Sequence, residues 1–298
     1  MQLSKEFKQA VLTALEADRN NYGGSDTAFA KKWSINNAVY SRLKSGETDG
    51  LLKEGQWLNI GRELQVSLTA KKWNVARTKV YADIEDNLQF CKEFSKSMLL
   101  VDDTAIGKTF CSRHIIRGMK NTFYVDCSES KTKQLFIRTL AKTIGVDNTG
   151  KYSEVKANLK YYLKQLEKPL IVLDEAGDLD YPAFLELKEL WNATEGVCGY
   201  YLMGADGLEA KIYRGINCKK VGYREIFSRF NNQFIHIVPR VISERVDFYK
   251  GLIADVLTVN AANKTLVPNL VKQCMSNDDR GNIGGLRRAE TLLLISEN

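Results

Sequence analysis

Hydrophobic and polar positions are spaced in three different ways along the 298 residues of the chain. Residues 1–66 carry apolar positions at helical spacing, and residues 241–298 do so again. Between residues 78 and 240, short apolar runs alternate with amphipathic helical patterns. This pattern predicts a helical N-terminal domain at 1–66, a polar linker at 67–77, an α/β core at 78–240 and a small helical lid at 241–298.

The central block has the alternation that is typical of a parallel sheet. Short apolar runs predict strands, and helical spacing predicts the helices between them. The predicted strands are 98–101, 122–127, 170–174, 199–204 and 234–238, and the predicted helices are 78–95, 134–144, 154–166 and 184–193. Helices then cover both faces of the sheet, and ligands bind at the carboxyl ends of the strands. The predicted fold class is therefore α/β.

The N-terminal block has the signature of a helix-turn-helix. Ser25 or Asp26 is placed to cap a helix that buries Phe29. After a tight turn, Asn36 begins a second helix, Asn37–Lys44, which Gly46 ends. This arrangement resembles repressor-like DNA-binding domains.

The second helix of this pair is the predicted DNA-reading element. We expect Val39 and Leu43 to face inward, and polar or basic side chains to face outward: Asn37, Tyr40, Ser41, Arg42 and Lys44. Because such side chains contact bases and phosphates, Asn37, Tyr40 and Arg42 are candidate DNA-binding residues. A protein-interaction module of three or four helices is the alternative.

The segment after the first predicted strand carries a phosphate-binding pattern. Residues 98–109 read Met-Leu-Leu-Val-Asp-Asp-Thr-Ala-Ile-Gly-Lys-Thr, so an apolar strand precedes a Gly-Lys-Thr helix start. The free N–H groups and the positive dipole end of such a helix favour phosphate. Lys108 is expected to hold the β- and γ-phosphates of ATP, and the Thr109 hydroxyl to ligate Mg²⁺. The predicted nucleotide-binding residues are Thr104, Ala105, Ile106, Gly107, Lys108, Thr109, Phe110 and Asp174.

A second apolar strand completes this site. Residues 169–175 read Pro-Leu-Ile-Val-Leu-Asp-Glu. The strand end places Asp174 beside the same Mg²⁺ and leaves Glu175 as the catalytic residue that orients a water for hydrolysis. Gly-Lys-Thr can stand at a helix start by chance, so the acidic strand end is what favours a nucleotide triphosphatase.

The motif G-x-x-x-x-G-K-[ST] is met except at its first position. Asp102 stands there instead of glycine, and Asp103 adds a second negative charge. Glycine allows backbone turns that are closed to other residues. We therefore expect a more open loop or weaker nucleotide binding than in a standard P-loop.

Composition indicates which class of partner the protein binds and in which cellular compartment it lies. Lys and Arg number 43 against 36 Asp and Glu, which gives a net charge of +7 and suits a polyanion such as DNA. The six cysteines include no C-x-x-C pair, so they indicate buried thiols in a reducing compartment. The sequence shows no signal-peptide pattern and no apolar run of about eighteen residues. We expect a cytoplasmic protein with no membrane partner.

Together these residues resemble the AAA+ ATPases, and among them the DNA-transposition ATPases related to phage Mu transposition protein B and the Tn7-type regulator. The resemblance covers residues 74–298 and includes Lys108-Thr109 and Asp174-Glu175. The helix-turn-helix ahead of the ATPase also resembles the Mu-type arrangement. The resemblance implies a P-loop AAA+ core with a parallel sheet, followed by a helical lid.

The resemblance also implies roles for residues outside the two motifs. Arg229 matches the arginine finger that completes a neighbour's site, and Arg224 is the competing position. Arg287 matches the second sensor in the lid, and Arg288 competes with it. Asp206 is the candidate for the first sensor.

A further implication of the resemblance concerns DNA contact. Lys131, Thr132 and Lys133 lie at a helix start after a strand, where the resembling ATPases touch target DNA. An ordinary solvated surface charge is the alternative for either lysine.

The function that the resemblance implies is ATP-dependent target delivery in transposition. The protein would oligomerise on duplex DNA as a filament or ring, present that DNA to a transposase, and disassemble when weak, partner-stimulated hydrolysis removes ATP. A helicase loader or replication initiator is one alternative. A helix-turn-helix transcription regulator that is switched by nucleotide is the other.

Overall fold

The computed structural model describes residues 3–64, 66–68, 73–276 and 284–297. Within these ranges, four parallel strands form one sheet: β1 Ser97–Val101, β2 Thr122–Asp126, β3 Leu170–Asp174 and β4 Gly199–Gly204. Their order is β1-β4-β3-β2, and all three pairings are parallel. The carboxyl ends of the strands therefore share one edge, and the predicted α/β class is confirmed.

Helices precede, flank and follow this sheet. In chain order they are α1 Lys5–Asn21, α2 Asp26–Lys32, α3 Asn37–Lys44, α4 Glu54–Glu63, α5 Lys79–Phe94, α6 Lys108–Ile116, α7 Lys133–Ile144, α8 Tyr152–Leu163, α9 Tyr181–Ala193, α10 Asp206–Asn217, α11 Tyr223–Arg229, α12 Ile242–Asn260, α13 Val267–Met275 and α14 Gly285–Glu297. Every residue of β3 and β4 is buried, which explains their continuous apolar sequence. Across the described helices, none has the length and apolar character that crossing a membrane requires.

The fifth predicted strand, 234–238, is reduced to a short extended segment on the outer edge of β1. Ile235 forms a single parallel bridge with Leu100. The segment then leaves the sheet, because the N–H of Ile237 donates to the side chain of Asp102 instead of to a strand. The prediction was right in position and wrong in length.

The N-terminal helices enclose their own small hydrophobic core. Phe29, Leu43 and Trp57 are fully buried in it. Both predicted caps are confirmed: Ser25 Oγ accepts the N–H of residue 28, and the Asn36 side chain accepts the N–H of residue 38. The chain therefore folds a helix-turn-helix pair, α2 and α3, ahead of the α/β core.

Tyr40 contradicts the orientation predicted for α3. Its side chain is only 5% exposed, and its ring lies 5.4 Å from the ring of Phe29 in the core. Residues three apart on a helix share a face, so Tyr40 points inward with Leu43. Val39, predicted to face inward, is half-buried. Tyr40 is thus a core residue and not a DNA contact.

The helix-turn-helix domain is docked on the core rather than held at a distance. The Asn121 N–H donates to the Asn21 carbonyl (3.2 Å), and the hydroxyls of Tyr22 and Tyr162 are 3.3 Å apart. An ion pair also joins Lys31 to the core residue 147 (3.3 Å). These contacts fix the direction in which the outer face of α3 points.

The lid consists of α12, α13 and α14, which pack around Ile253, Leu257, Cys274 and Leu293. Its first helix, α12, begins at Ile242, with residue 241 at the N-cap position. Residues 69–72 of the predicted linker and residues 277–283 before the last helix lie outside the described residues.

Candidate functional site

The loop between β1 and α6 has the backbone shape of a phosphate cradle. Gly107 takes a left-handed conformation (φ 98°) at the N-cap of α6, and Ala105 also has positive φ (59°). In the part of the chain that the structure describes, the backbone N–H groups of residues 105–110 have no hydrogen-bond partner. They are free to donate to an anion at the positive end of the helix.

Lys108 lies at the start of α6 and is bent back over this loop. Its ammonium donates to the carbonyls of Asp102 (2.8 Å) and Asp103 (2.6 Å). Burial lowers the pKa of Lys108, and the surrounding carboxylates act against that shift. Carbonyl partners are easily exchanged for phosphate oxygens, which are stronger acceptors of a charged donor.

The predicted metal ligands meet at the end of the sheet. Thr109 Oγ1 donates to Asp174 Oδ2 at 2.6 Å, so α6 and β3 bring the hydroxyl and the carboxylate together. Tyr124, on β2, donates to the same carboxylate oxygen at 2.6 Å. A hydroxyl beside a carboxylate suits Mg²⁺, which prefers oxygen ligands.

Glu175 follows directly and faces the same edge. Its backbone is left-handed (φ 48°), and its N–H donates to Asp174 Oδ1 (2.9 Å). Burial raises the pKa of Glu175, and the neighbouring Asp174 carboxylate adds to the increase. A carboxylate with a raised pKa is a better proton acceptor near neutral pH.

The expectation that Asp102 opens the loop is not met. Its backbone is not left-handed, so glycine is not required at this position. The side chain is 7% exposed and accepts three backbone N–H groups: those of Asp103 (2.8 Å), Ile237 (2.5 Å) and Val238 (3.0 Å). The carboxylate is thus used to close the loop against the segment that follows α11.

Asp103 is used in a similar way. Its Oδ2 accepts the hydroxyl of Tyr249 (2.6 Å) and forms an ion pair with Arg245, both on the lid helix α12. Neither α12 residue was predicted, since nothing in the local sequence marks a lid residue as a partner of the P-loop. Tyr124 was missed for the same reason.

The last helix of the lid touches the P-loop directly. The N–H of Leu286 donates to the Ala105 carbonyl (2.9 Å). Arg287 is exposed next to this contact and, among the described residues, its guanidinium makes no hydrogen bond or ion pair. Arg288 donates instead to Ser276 (2.9 and 3.0 Å). Of the two predicted sensor positions, Arg288 is therefore the one whose guanidinium is bonded to another described residue.

The predicted arginine finger lies at the other end of the sheet. Arg229 stacks over the ring of Trp191 (5.0 Å) and donates to Asn192 (2.8 Å). The Trp191 indole in turn donates to Ser97, the first residue of β1. The P-loop follows the last residue of β1, so Arg229 and the P-loop of its own chain lie near opposite ends of that strand. Arg224 is exposed on the same helix.

The three predicted DNA contacts of the core stand at the start of α7. Thr132 is the N-cap residue of that helix. Lys131 pairs with Asp178 (2.9 Å) and Lys133 with the buried Glu186 (3.0 Å). Both ammonium groups are thus partly neutralised, although each remains about half exposed.

The candidates on α3 are exposed as predicted, apart from Tyr40. Asn37 lies at the first turn, and Arg42 forms an ion pair with Glu47 (2.6 Å). Asp206, the candidate first sensor, is exposed just after β4, between the P-loop strand and β3.

The site therefore fits a nucleoside triphosphate with Mg²⁺. Free backbone donors, an ammonium on exchangeable partners and a hydroxyl–carboxylate pair lie together at the carboxyl ends of β1 and β3. These are the groups that bind phosphates and a hard cation in P-loop proteins.

Comparison with known proteins relates the fold to solved structures. No curated protein matches the chain in sequence. The fold is similar to Orc1 of Aeropyrum pernix in complex with DNA (TM-score 0.53, 16% identity, 76% of this chain and 60% of that one). It is also similar to Cdc6p of Pyrobaculum aerophilum (TM-score 0.52, 14% identity, 76% of this chain and 62% of that one). The chain thus spans about three fifths of the length of either protein.

A family model decides the assignment. The model described as an AAA domain matches residues 60–212, just over half of the chain. The matched range includes the P-loop and the acidic end of β3. The chain therefore belongs to the AAA domain family of P-loop proteins.

Proposed function

We propose that this protein is an ATPase that assembles on duplex DNA when it has bound ATP, and that leaves the DNA after hydrolysis. The proposal rests on one observation: the residues proposed for ATP hydrolysis lie at both ends of the sheet, and not all at one end. The proposed phosphate- and metal-binding groups lie at the carboxyl end, whereas Arg229 lies on the ring of Trp191, which donates to the first residue of β1. A strand of five residues spans roughly 16 Å, so Arg229 serves a neighbour's site rather than its own.

The chemistry follows from the residues at the carboxyl end. Lys108 and the free N–H groups hold the phosphates, Thr109 and Asp174 hold Mg²⁺, and Glu175 orients a water and accepts its proton. When bound, Mg²⁺ supplies positive charge that neutralises the phosphate oxygens. Arg287 from the lid and Arg229 from the next subunit supply further positive charge.

Assembly depends on nucleotide because Arg229 pairs best with the charge of an intact triphosphate. A contact between the carboxyl end of one subunit and the opposite end of the next is head-to-tail. Such contacts produce a ring when the rotation closes and a filament when it does not.

DNA is the proposed polyanion partner. The chain carries a net charge of +7 and presents an exposed helix-turn-helix face with Asn37 and Arg42. Lys131, Thr132 and Lys133 are the proposed contacts of the core. The Orc1 protein of similar fold is in complex with DNA, which supports the same class of partner. Phosphate contacts of this kind bind with little sequence preference and strong salt dependence.

Within this function, we propose target delivery to a transposase as the biological setting. The support is the resemblance of Arg229, Arg287 and the two motifs to the transposition ATPases, together with the helix-turn-helix that precedes the core. A replication initiator or helicase loader is the second candidate, and the fold similarity to Orc1 and Cdc6p favours it.

Electron microscopy and footprinting on duplexes of increasing length test the proposal. We expect ATP-dependent coating in proportion to duplex length, loss of coating in Lys108→Ala, and persistent coating in Glu175→Gln. Lys272→Ala, which changes an exposed lysine of α13, is the matched control and should behave as wild type.

Other outcomes of the same experiment separate the alternatives. Protection of one short operator would indicate a transcription regulator. Preference for single-stranded DNA together with binding to a hexameric helicase would indicate a loader. Absence of nucleotide binding by the wild-type protein would refute the proposal as a whole.

A further inference from the structure

The first two residues of the P-loop, Asp102 and Asp103, both carry carboxylates. Each carboxylate contacts a part of the chain that is distant in sequence. Asp102 contacts the segment after Ile235, whereas Asp103 contacts the lid helix α12. Two uncompensated carboxylates would repel a triphosphate. Their partners are thus the features that make an acidic P-loop compatible with phosphate binding.

The common motif has a flexible glycine at position 102. In this chain the Asp102 side chain instead bonds the P-loop to the segment after α11. Because its carboxylate is buried, it gains no hydration and depends on the N–H donors of Ile237 and Val238. Conversely, those N–H groups are buried and have the carboxylate as their acceptor. Removing the side chain leaves donors unpaired on one side of the loop, which is more costly than the loss of the bonds alone.

Asp103 is compensated by charge. Arg245 pairs with its Oδ2, and Tyr249 donates to the same atom. Burial raises the pKa of Tyr249, so the hydroxyl stays a donor. The lid helix therefore both neutralises Asp103 and is held against the P-loop by it.

We propose that Asp102 and Asp103 are positioning residues that fasten the P-loop to the segment after α11 and to the lid, and that Arg245 cancels the charge of Asp103. This proposal rests on the proposed nucleotide binding. In the common motif, a glycine at position 102 allows the loop to take its phosphate-binding shape. In this chain, the two carboxylates hold the loop in that shape.

The proposal predicts the opposite of what the motif suggests for Asp102→Gly. This change restores the common pattern, yet we expect nucleotide affinity to fall at least about tenfold, since a charge-assisted set of hydrogen bonds is lost. Asp102→Asn keeps one acceptor oxygen and should lose less affinity than Asp102→Gly.

Arg245 gives a test in which a second substitution should restore the nucleotide affinity that the first one lowers. Arg245→Ala leaves Asp103 charged and unpaired beside the phosphates, so affinity should fall roughly three- to tenfold. The double change Arg245→Ala with Asp103→Asn removes that charge, and affinity should recover most of the loss. A purely structural role would make the double variant at least as weak as the single one.

The experiment measures the affinity of the full-length variants for a fluorescent ATP analogue, together with their melting temperatures without nucleotide. Lys250→Ala, an exposed lysine on the same helix as Arg245, is the matched control. Unchanged or tighter binding in Asp102→Gly overturns the role of Asp102. Should that variant fail to fold, an Arg245→Ala defect that the double change does not relieve overturns the proposal. A wild-type protein without nucleotide affinity would instead refute the proposed function.

Discussion

Glu175, the proposed catalytic residue, is held in place by its backbone. The left-handed backbone at this residue turns the chain sharply after β3, and the N–H bond to Asp174 fixes the turn. Burial and the adjacent carboxylate together raise the pKa of Glu175. Such a backbone conformation is unusual for a non-glycine residue, and it stores strain that the surrounding fold sustains.

The raised pKa of Glu175 predicts the acid side of the pH profile. As the pH falls through this pKa, the carboxylate gains a proton and can no longer accept one from water. The acid limb of kcat should therefore lie above 4.5, the ordinary value for glutamate. Steady-state ATPase assays between about pH 4 and 9 measure it.

The control for this pH profile is the nucleotide affinity measured at each pH. This affinity should not fall over the pH range in which kcat falls. Glu175→Gln should remove hydrolysis at every pH and leave binding intact. An acid limb at or below 4.5 would contradict the assigned role of Glu175.

The sequence identified the residues that a motif names and missed those that a motif does not. Lys108, Thr109 and Asp174 were predicted because P-loop chemistry needs these side chains directly after apolar strands. Tyr124 and Arg245 were missed because their roles come from tertiary contacts across 50 and 142 positions of sequence. The outward orientation predicted for Tyr40 was wrong, because a short helix with few apolar residues does not show clearly which of its faces is buried.

At the scale of elements, strands were more predictable than the helices between β4 and the lid. The bounds of β3 and β4 agree with the apolar runs, because a buried parallel strand is apolar throughout. Helices α10 and α11 were not predicted. The first contains Gly207 and Gly215, which weaken a helical signal, and the second has only seven residues.

The start of α14 is the element that joins the lid to the P-loop, and Gly285 permits the contact. Gly285 has a positive φ of 60°, and a Cβ there would lie 3.1 Å from the Ala105 side chain. Gly285→Ala should therefore destabilise the protein by about 1–2 kcal/mol. It should also weaken nucleotide binding, since the lid is moved off the loop. Thermal unfolding with and without ATP measures both effects.

Gly251→Ala is the control for this prediction. Gly251 is exposed within α12, and a Cβ there has open space around it. The change should stabilise the helix by about 0.5–1 kcal/mol and leave nucleotide binding unchanged. Equal effects of the two substitutions would show that Gly285 has no special role.

In the subunit as a whole, the helix-turn-helix and the lid are both docked on the α/β core. The helix-turn-helix is docked through Tyr22 and Asn21, and the lid is docked on the P-loop through Leu286. The proposed nucleotide site is thus in contact with the lid, and the core that carries it is in contact with the helix-turn-helix. Sequence patterns predicted the three parts but not this docking, which depends on single contacts between distant residues.

The proposed sharing of an active site between subunits predicts how mixed assemblies behave. Arg229→Ala should bind nucleotide normally and lose DNA-stimulated hydrolysis, because the neighbour's site lacks its arginine. Glu175→Gln should be inactive for a different reason, since it lacks the catalytic carboxylate but still offers Arg229. In an equal mixture, about a quarter of the head-to-tail contacts join an intact Glu175 to an intact Arg229, so hydrolysis should return. Arg224→Ala, on the same helix as Arg229, is the control and should hydrolyse as wild type alone. ATPase assays of the single and mixed proteins on duplex DNA decide the matter: an inactive mixture would show that Arg229 does not act in a neighbour's site.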